Sequence, residues 1–348
     1  MEALPEAISW CEVSAEAIRA NLATLRRGLS QGTELGIVVK SNAYGHGLAA
    51  CAGVFIAAGA DWLIVNSVGE AIALRALARE SPIYICGPVF PDEAPEIGDA
   101  RASVAIYDNE MALALANAGQ RSGQSIGVHI KVETGTNRQG VAPAEALELA
   151  LYVDRLEGVR LEGITTHYAD IEDTTDHRFA LGQLSRLQEV VQAFADAGLP
   201  KAILHSANSA ATLISPATHG GLVRVGIAAY GLWPSNETYA TVLERRLGAN
   251  DAQLPDLQPV LSWRARVAQV KDVAEGEYIG YGRTYRATYP MRIAVLPVGY
   301  YEGYDRRLSN IGHALINGVR APVRGRICMN MAMVDISHIP HVERGSVA

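Results

Sequence analysis

The sequence predicts an α/β fold: a (β/α)8 TIM-like barrel followed by a mostly β C-terminal domain. Three observations predict it. Eight short apolar runs alternate with longer helix-like stretches between residues 35 and 231. The runs lack the polar alternation of strands with one wet face, so both faces are expected to be covered. After Pro234 the pattern changes to strand-like runs separated by Gly and Pro turns.

Taken in order, Ile8–Val13 reads as a strand before a first helix, Ala15–Arg27. The eight runs follow: Leu35–Lys40, Trp62–Asn66, Ile83–Gly87, Ser103–Tyr107, Gly127–Glu133, Leu161–His167, Ala202–Ala207 and Leu222–Gly231. Between them Glu70–Glu80 sets Ala71, Leu74, Leu77 and Ala78 at helical spacing, and Ala144–Val153 and Gln183–Ala197 also read as helices. Alternating strand and helix implies right-handed βαβ units and a parallel sheet. Eight units suggest a barrel; an open doubly wound sheet is the rival, because periodicity does not show closure. Ser235–Pro259 is polar, with Asn, Asp, Pro and Gly, and reads as a connection. The later strand-like runs are Ser262–Val270, Arg292–Val298, Ala314–Asn317, Ala321–Ile327 and Ala332–Ile336. The expected division is a barrel over residues 14–235 and a β domain over residues 257–348 joined by residues 1–13.

Composition narrows the function. The chain has 348 residues, 49% apolar and 19% charged, with net charge −7. A large core is therefore available, and the basic excess of a nucleic-acid binder is missing. No stretch approaches the ~20 apolar residues that a bilayer span needs, and residues 1–14 do not read as a signal peptide. The expectation is a cytoplasmic enzyme with no nucleic-acid or membrane partner. Cys11, Cys51, Cys86 and Cys328 are scattered, and the nine histidines lack ligand spacing, so no metal site is expected.

In a parallel barrel the reacting groups stand at the C-terminal ends of strands. Lys40 ends the first run, Lys131 lies in the fifth with Arg138 in the loop after it, and His167 ends the sixth. His205, Asn208 and Ser209 end the seventh, and Arg224 and Gly226 lie in the eighth. A lysine at a strand end reads either as a rim residue reaching water or as a desolvated amine suited to covalent carbonyl chemistry. The histidines, arginines and Ser/Asn pair on the same rim favour the second reading and form a cluster able to bind an anion.

These residues sit in motifs. VVKSNAYGHG resembles the cofactor-lysine segment of the alanine racemase family, with Ser41 where alanine is usual. KVETGTNRQG, GITTHYAD, HSANSAA, VRVGIAAYG, YIGYGRTY, LPVGYYEGY and GRICMNMAMVDIS match further family motifs in order, over nearly the whole chain.

The resemblance implies a two-base racemase that uses pyridoxal 5'-phosphate (PLP), interconverts L- and D-alanine and supplies peptidoglycan synthesis. Lys40 would bond the cofactor and act as one base. Tyr281, from the other subunit of a homodimer, would be the second, helped by His167 and Arg224. Arg224 would face the pyridine nitrogen. Tyr44, Ser209 and the amides of Gly226 and Ile227 would hold the phosphate, with His205 and Asn208 packed around the ring or serving as satisfied core polar groups. Arg138 and the Met329 amide would bind the substrate carboxylate, and Lys131 matches a lysine that family members carry as a carbamate. Tyr300 and Arg326 match a substrate corridor.

The chain departs from the family at Asn330, where aspartate is usual, and at Gln139, where leucine is common. Both add neutral polar groups, which raises a broad-specificity or serine racemase as the alternative. A barrel-type PLP decarboxylase is the more distant one, disfavoured by Arg224. Family members also continue beyond the point matching Ala348, so the sequence is expected to be incomplete at its end.

Overall fold

The computed structural model describes residues 7–249 and 254–348 and separates into two compact units. The larger spans Val13–Val260; the smaller joins Leu261–Ala348 to the N-terminal segment through Glu12.

Strands are numbered in chain order, starting with β1 (Ser9–Val13). The larger unit is built on eight parallel strands: β2 (Glu34–Val38), β3 (Trp62–Val65), β4 (Ile83–Ile85), β5 (Ser103–Ile106), β6 (Ile126–Lys131), β7 (Val159–Thr165), β8 (Ile203–His205) and β9 (Leu222–Val225). They run β8-β7-β6-β5-β4-β3-β2-β9. Two backbone hydrogen bonds, Gly221 N to Leu204 O (2.8 Å) and Arg224 N to Ala207 O (2.9 Å), link β8 to β9 and close the ring. The sheet is therefore a barrel, and the open-sheet rival falls.

Packing explains the apolar runs. Leu35, Ile37, Leu63, Val65, Ile83 and Ile85 point outward into one large core shared with the helices. Val38, Trp62, Ile64, Tyr84, Ala105 and Leu222 fill the barrel interior. Covered on both sides, these strands have no wet face to alternate toward.

Helix starts follow local capping. Ser14 Oγ accepts from Ala17 N (3.1 Å) and opens the helix Ala15–Gly28. Ser67 Oγ accepts from Glu70 N (3.3 Å), so the helix expected from Glu70 begins at Val68. Ser235 Oγ accepts from Thr238 N (2.9 Å) and starts the helix Asn236–Gly248. That overturns the reading of Ser235–Pro259 as a plain connection: a cap, acidic Glu237 in the first turn and basic Arg245 and Arg246 in the last outweigh the turn-like composition. The rest of that expected connection includes residues 250–253, outside the described residues.

The smaller unit is mostly β, with short 3-10 turns at Tyr281–Arg283 and Arg306–Leu308. β10 (Leu261–Ala265) pairs with β1. β11 (Gln269–Val273), β14 (Met291–Leu296) and β17 (Ala332–Asp335) form an antiparallel sheet in the order β11-β14-β17. β12 (Tyr278–Ile279) pairs with β13 (Tyr285–Arg286), and β15 (His313–Ile316) with β16 (Val319–Pro322). The single run expected over Ser262–Val270 is two strands, β10 and β11.

Candidate active site

A cavity of about 620 Å³ opens at the C-terminal ends of the barrel strands. Lys40, Tyr44, Lys131, Arg138, His167, Asn208, Ser209, Arg224, Gly226 and Ile227 line it, so ten expected site residues meet in one place. Tyr281, Tyr300 and Met329 belong to the smaller unit. Tyr281 is 70% exposed there, on a tight turn between the positive-φ glycines Gly280 and Gly282.

Lys40 does not end a strand. β2 stops at Val38, and Ser41, Asn42, Ala43 and Tyr44 then all take left-handed backbone angles, with φ between 53 and 55°. Each such residue costs about 1–2 kcal/mol for an L side chain, so the turn persists only because its surroundings fix it. Ser41 N donates to Glu70 Oε1 (2.6 Å), and Glu70 Oε2 accepts from Asn66 N (2.7 Å). Asn42 Oδ1 accepts from Leu48 N (2.8 Å). Buried Tyr230 donates to Val38 O (3.0 Å) and packs on the rings of Tyr44 and His46. The sequence reading missed Glu70 and Tyr230; Tyr230, inside VRVGIAAYG, was the visible signal.

Arg224 is buried on β9 among neutral acceptors. It donates to Thr166 O (2.9 Å), Ser206 O (3.2 Å), His205 O (2.8 Å), Thr165 Oγ1 (3.1 Å) and His205 Nδ1 (2.8 Å), and lies 3.5 Å from His167 Nδ1. Burial, then the charges of Arg224, Lys131, Arg138 and Lys40, push the His167 imidazole down to about 2, so it is neutral. Burial, then Arg224, also brings the Lys131 amine down to about 8.

The loop carrying Arg138 is wound around Glu133. Its carboxylate accepts from Gly135 N (2.6 Å), Thr136 N (2.6 Å) and Arg138 N (3.2 Å). Fully buried Gln183 ties that loop to the next, donating to Thr134 Oγ1 (3.2 Å) and His167 O (3.1 Å) and accepting from Ala169 N (3.0 Å). Gln183 lies on the buried side of its helix with Ala180, Leu184 and Leu187, a polar residue in an apolar stripe. That was its sequence signal.

His205 and Asn208, expected around the ring or as satisfied core polar groups, both make their hydrogen bonds within the protein. His205 is fully buried and does not line the cavity; both its ring nitrogens are taken, by Arg224 and by His129 Nδ1 (2.8 Å). Asn208 lines the cavity but is engaged as a helix cap, accepting from Ala211 N (3.0 Å) and donating to Glu172 (2.9 Å). Asn330, the departure in the smaller unit, donates to Glu302 (2.7 Å).

The donors fit a phosphorylated ligand. Ser209 Oγ accepts from Gly226 N (2.9 Å) and Ala228 N (3.3 Å), which leaves its own proton to donate. Tyr44 Oη closes on Gly226 where any Cβ would stand, so a larger residue there would push the Tyr44 hydroxyl aside. A lysine, two hydroxyls and an arginine on one cavity suit an aldehyde that also carries a phosphate.

The family profile described as "Alanine racemase, N-terminal domain" matches residues 13–234, and "Alanine racemase, C-terminal domain" matches residues 260–348. The chain belongs to the alanine racemase family. A relative from Desulfovibrio desulfuricans, named alanine racemase, is 39% identical over 97% of this chain and 87% of its own. One from Symbiobacterium thermophilum is 40% identical over 94% of this chain and 83% of its own. The solved alanine racemase of Streptomyces lavendulae superposes with a TM-score of 0.86 at 30% identity, covering 98% of this chain and 86% of that one. Among the described residues of this family member, no helix is long and apolar enough to cross a membrane.

Proposed function

We propose that this chain is a PLP-dependent alanine racemase that works as a cytoplasmic homodimer and supplies D-alanine for peptidoglycan. The observation that carries the reading is a buried guanidinium, Arg224, lining the same cavity as Lys40. When bound, the cofactor supplies an electron-poor ring that accepts the electrons left at Cα as its proton departs.

Lys40 would hold the cofactor, with Tyr44, Ser209, Gly226 and Ile227 on its phosphate. Arg224 can donate a hydrogen bond to a ring nitrogen but does not readily give up its proton. Arg224 would thus keep a bound ring a moderate electron sink, which would favour returning the proton to Cα over transamination and counts against the decarboxylase reading. Arg138 and the Met329 amide would hold the substrate carboxylate, and Tyr300 would border the access path.

Lys40 Nζ moves the proton on one face of Cα, and the partner subunit's Tyr281 holds it on the other. A phenol ordinarily titrates near ~10 and needs help to act as a base. His167 can give it: with Nδ1 turned to Arg224, a neutral His167 carries its proton on Nε2 and can donate to a phenolate. Lys131, at about 8, is partly neutral near pH 7, the form that attacks CO2 to give a carbamate and a proton. The carbamate would reverse its charge beside Arg138.

The test supplies PLP and L-alanine and follows loss of optical activity. Activity is expected from the parent and none from Lys40→Ala. Equal mixtures of refolded Lys40→Ala and Tyr281→Ala chains should recover about a quarter of parental activity, because half the dimers are mixed and each holds one intact site. No recovery removes the shared-site dimer; no racemisation by the parent removes the function.

One observation favours the serine or broad-specificity alternative. Gln139 Nε2 is buried without a partner among the described residues, and Gln139 lines the cavity. A substrate hydroxyl would satisfy that donor. If so, Gln139→Leu lowers kcat/KM for serine about tenfold and spares alanine.

A further inference from the structure

The barrel has a second mouth. A cavity of about 250 Å³ at the N-terminal ends of the strands is lined by Trp62, Ile83, Ser103, Arg160 and Glu162 among others. Between the two mouths runs an unbroken line of polar side chains inside an apolar barrel. Arg224 donates to His205 Nδ1 (2.8 Å), His205 Nε2 meets His129 Nδ1 (2.8 Å), and His129 Nε2 meets Glu162 Oε2 (3.3 Å). Both histidines are fully buried. Glu162 also accepts from Ser103 and, at 2.6 Å, from Arg160.

Hydrogen-bonding capacity fixes every proton in this line. A guanidinium only donates, so His205 Nδ1 must accept. A neutral His205 then carries its proton on Nε2 and donates to His129 Nδ1. His129 in turn must carry its proton on Nε2 and donate to the carboxylate. A second proton on either ring would set two N–H groups against each other. The tautomers are therefore locked in series, and all donors point from Arg224 toward Glu162.

The backbone makes room for the line. A Cβ on Gly163 would collide with the His129 ring, and one on Gly127 would collide with the Glu162 carboxylate. The β6–β7 register shifts between Val128 and His129, a bulge of the kind that re-aims a side chain. Tyr84 packs on His129 (4.5 Å between centroids) and edge-on to His205 (5.3 Å).

We infer that Glu162 and His129 are positioning residues for the reaction: from the far mouth of the barrel they fix, through His205, the orientation and counter-charge of Arg224. The inference rests on the proposed role of Arg224 at the cofactor ring. Arg224 is a buried cation whose direct acceptors are all neutral, and Glu162 is the carboxylate its hydrogen-bond line reaches. Removing that charge leaves the guanidinium field at the ring less balanced and weakens the acceptor at the end of the line, while the Arg224 contact still holds the His205 tautomer.

The test reads the histidines and the ring separately. In apoprotein labelled with nitrogen-15 histidine, both rings are expected to be neutral and protonated on Nε2 from about pH 5 to pH 9. Glu162→Gln keeps an acceptor oxygen but loses the charge; it should shift the ring nitrogens of His205, two links away. With PLP bound, the same variant should shift the cofactor absorption band and lower kcat about tenfold with KM little changed. A proton on Nδ1 of either ring overturns the inference. So do unmoved His205 signals and an unmoved band in a variant that melts like the parent. If Glu162→Gln fails to fold, the parental tautomers decide. If the parent binds no PLP, the functional reading fails while the tautomers still judge the relay.

Discussion

At the scale of single residues, the cavity is short of negative charge. Lys40, Lys131, Arg138 and Arg224 line it together, and Lys131 is only 7% exposed. Folding holds the Lys131 amine near 8, below its ordinary 10.5, so between those values the unfolded chain binds a proton that the folded chain releases. Stability from this group therefore rises as pH climbs from about 8 toward 10.5 and is at its poorest below 8. The shift corresponds to about 3 kcal/mol. In CO2-free buffer, Lys131→Met is expected to raise apoprotein stability at pH 7 by about 1–3 kcal/mol, with the gain shrinking near pH 10. Urea unfolding of parent and variant at the two pH values measures it; an equal gain at both would show that charge is not the cause. The same crowding of cations explains why a carbamate on Lys131 is chemically reasonable.

At the scale of elements, the strands and the turns that follow them were legible to different degrees. Runs such as Trp62–Val65 announced themselves because both faces are buried. The left-handed turn after Lys40 did not, since no single residue of Ser41–Tyr44 forces it and its support comes from Glu70 and Tyr230, far away in sequence. His129 and Glu162 were missed for a related reason: a polar residue inside an apolar strand signals nothing until its partners on neighbouring strands are known. Most of the rim was readable because strand ends can be counted; the barrel interior was not. Two element-scale outcomes follow. Gly163→Ala places a methyl in the His129 ring and is expected to cost about 1–3 kcal/mol as overpacking. It should also shift the His129 signals, which a local backbone effect alone would leave in place. Ser235→Ala removes the cap of the helix Asn236–Gly248 and is expected to cost about 1 kcal/mol in urea unfolding, with racemisation retained.

At the scale of the whole molecule, four histidines held neutral couple folding to pH. His129, His167, His205 and His219 are all held below the ordinary 6.5, in each case chiefly by burial. For a histidine whose folded value is depressed, stability is complete above the unfolded value and is lost as pH falls through and below it. Each can remove up to about 1.4 kcal/mol per pH unit once the unfolded ring protonates. For His167 the loss continues down to about 2. Glu162 acts in the same direction at lower pH. Burial raises its carboxyl, but hydrogen bonds from His129, Ser103 and Arg160 outweigh that and hold it near 2, so its contribution fades as pH drops below its ordinary 4.5. The apoprotein should therefore lose stability steeply between about pH 6 and pH 4. His129→Asn, which removes one of these rings, should flatten that slope by up to one proton, while lowering stability at pH 7 because His205 Nε2 loses its acceptor. Urea midpoints across the range, for parent and variant, decide it: a parental curve flat from pH 7 to pH 5 would mean that the interior accepts charged histidines, and the one-way order of protons from Arg224 to Glu162 would then have no energetic basis.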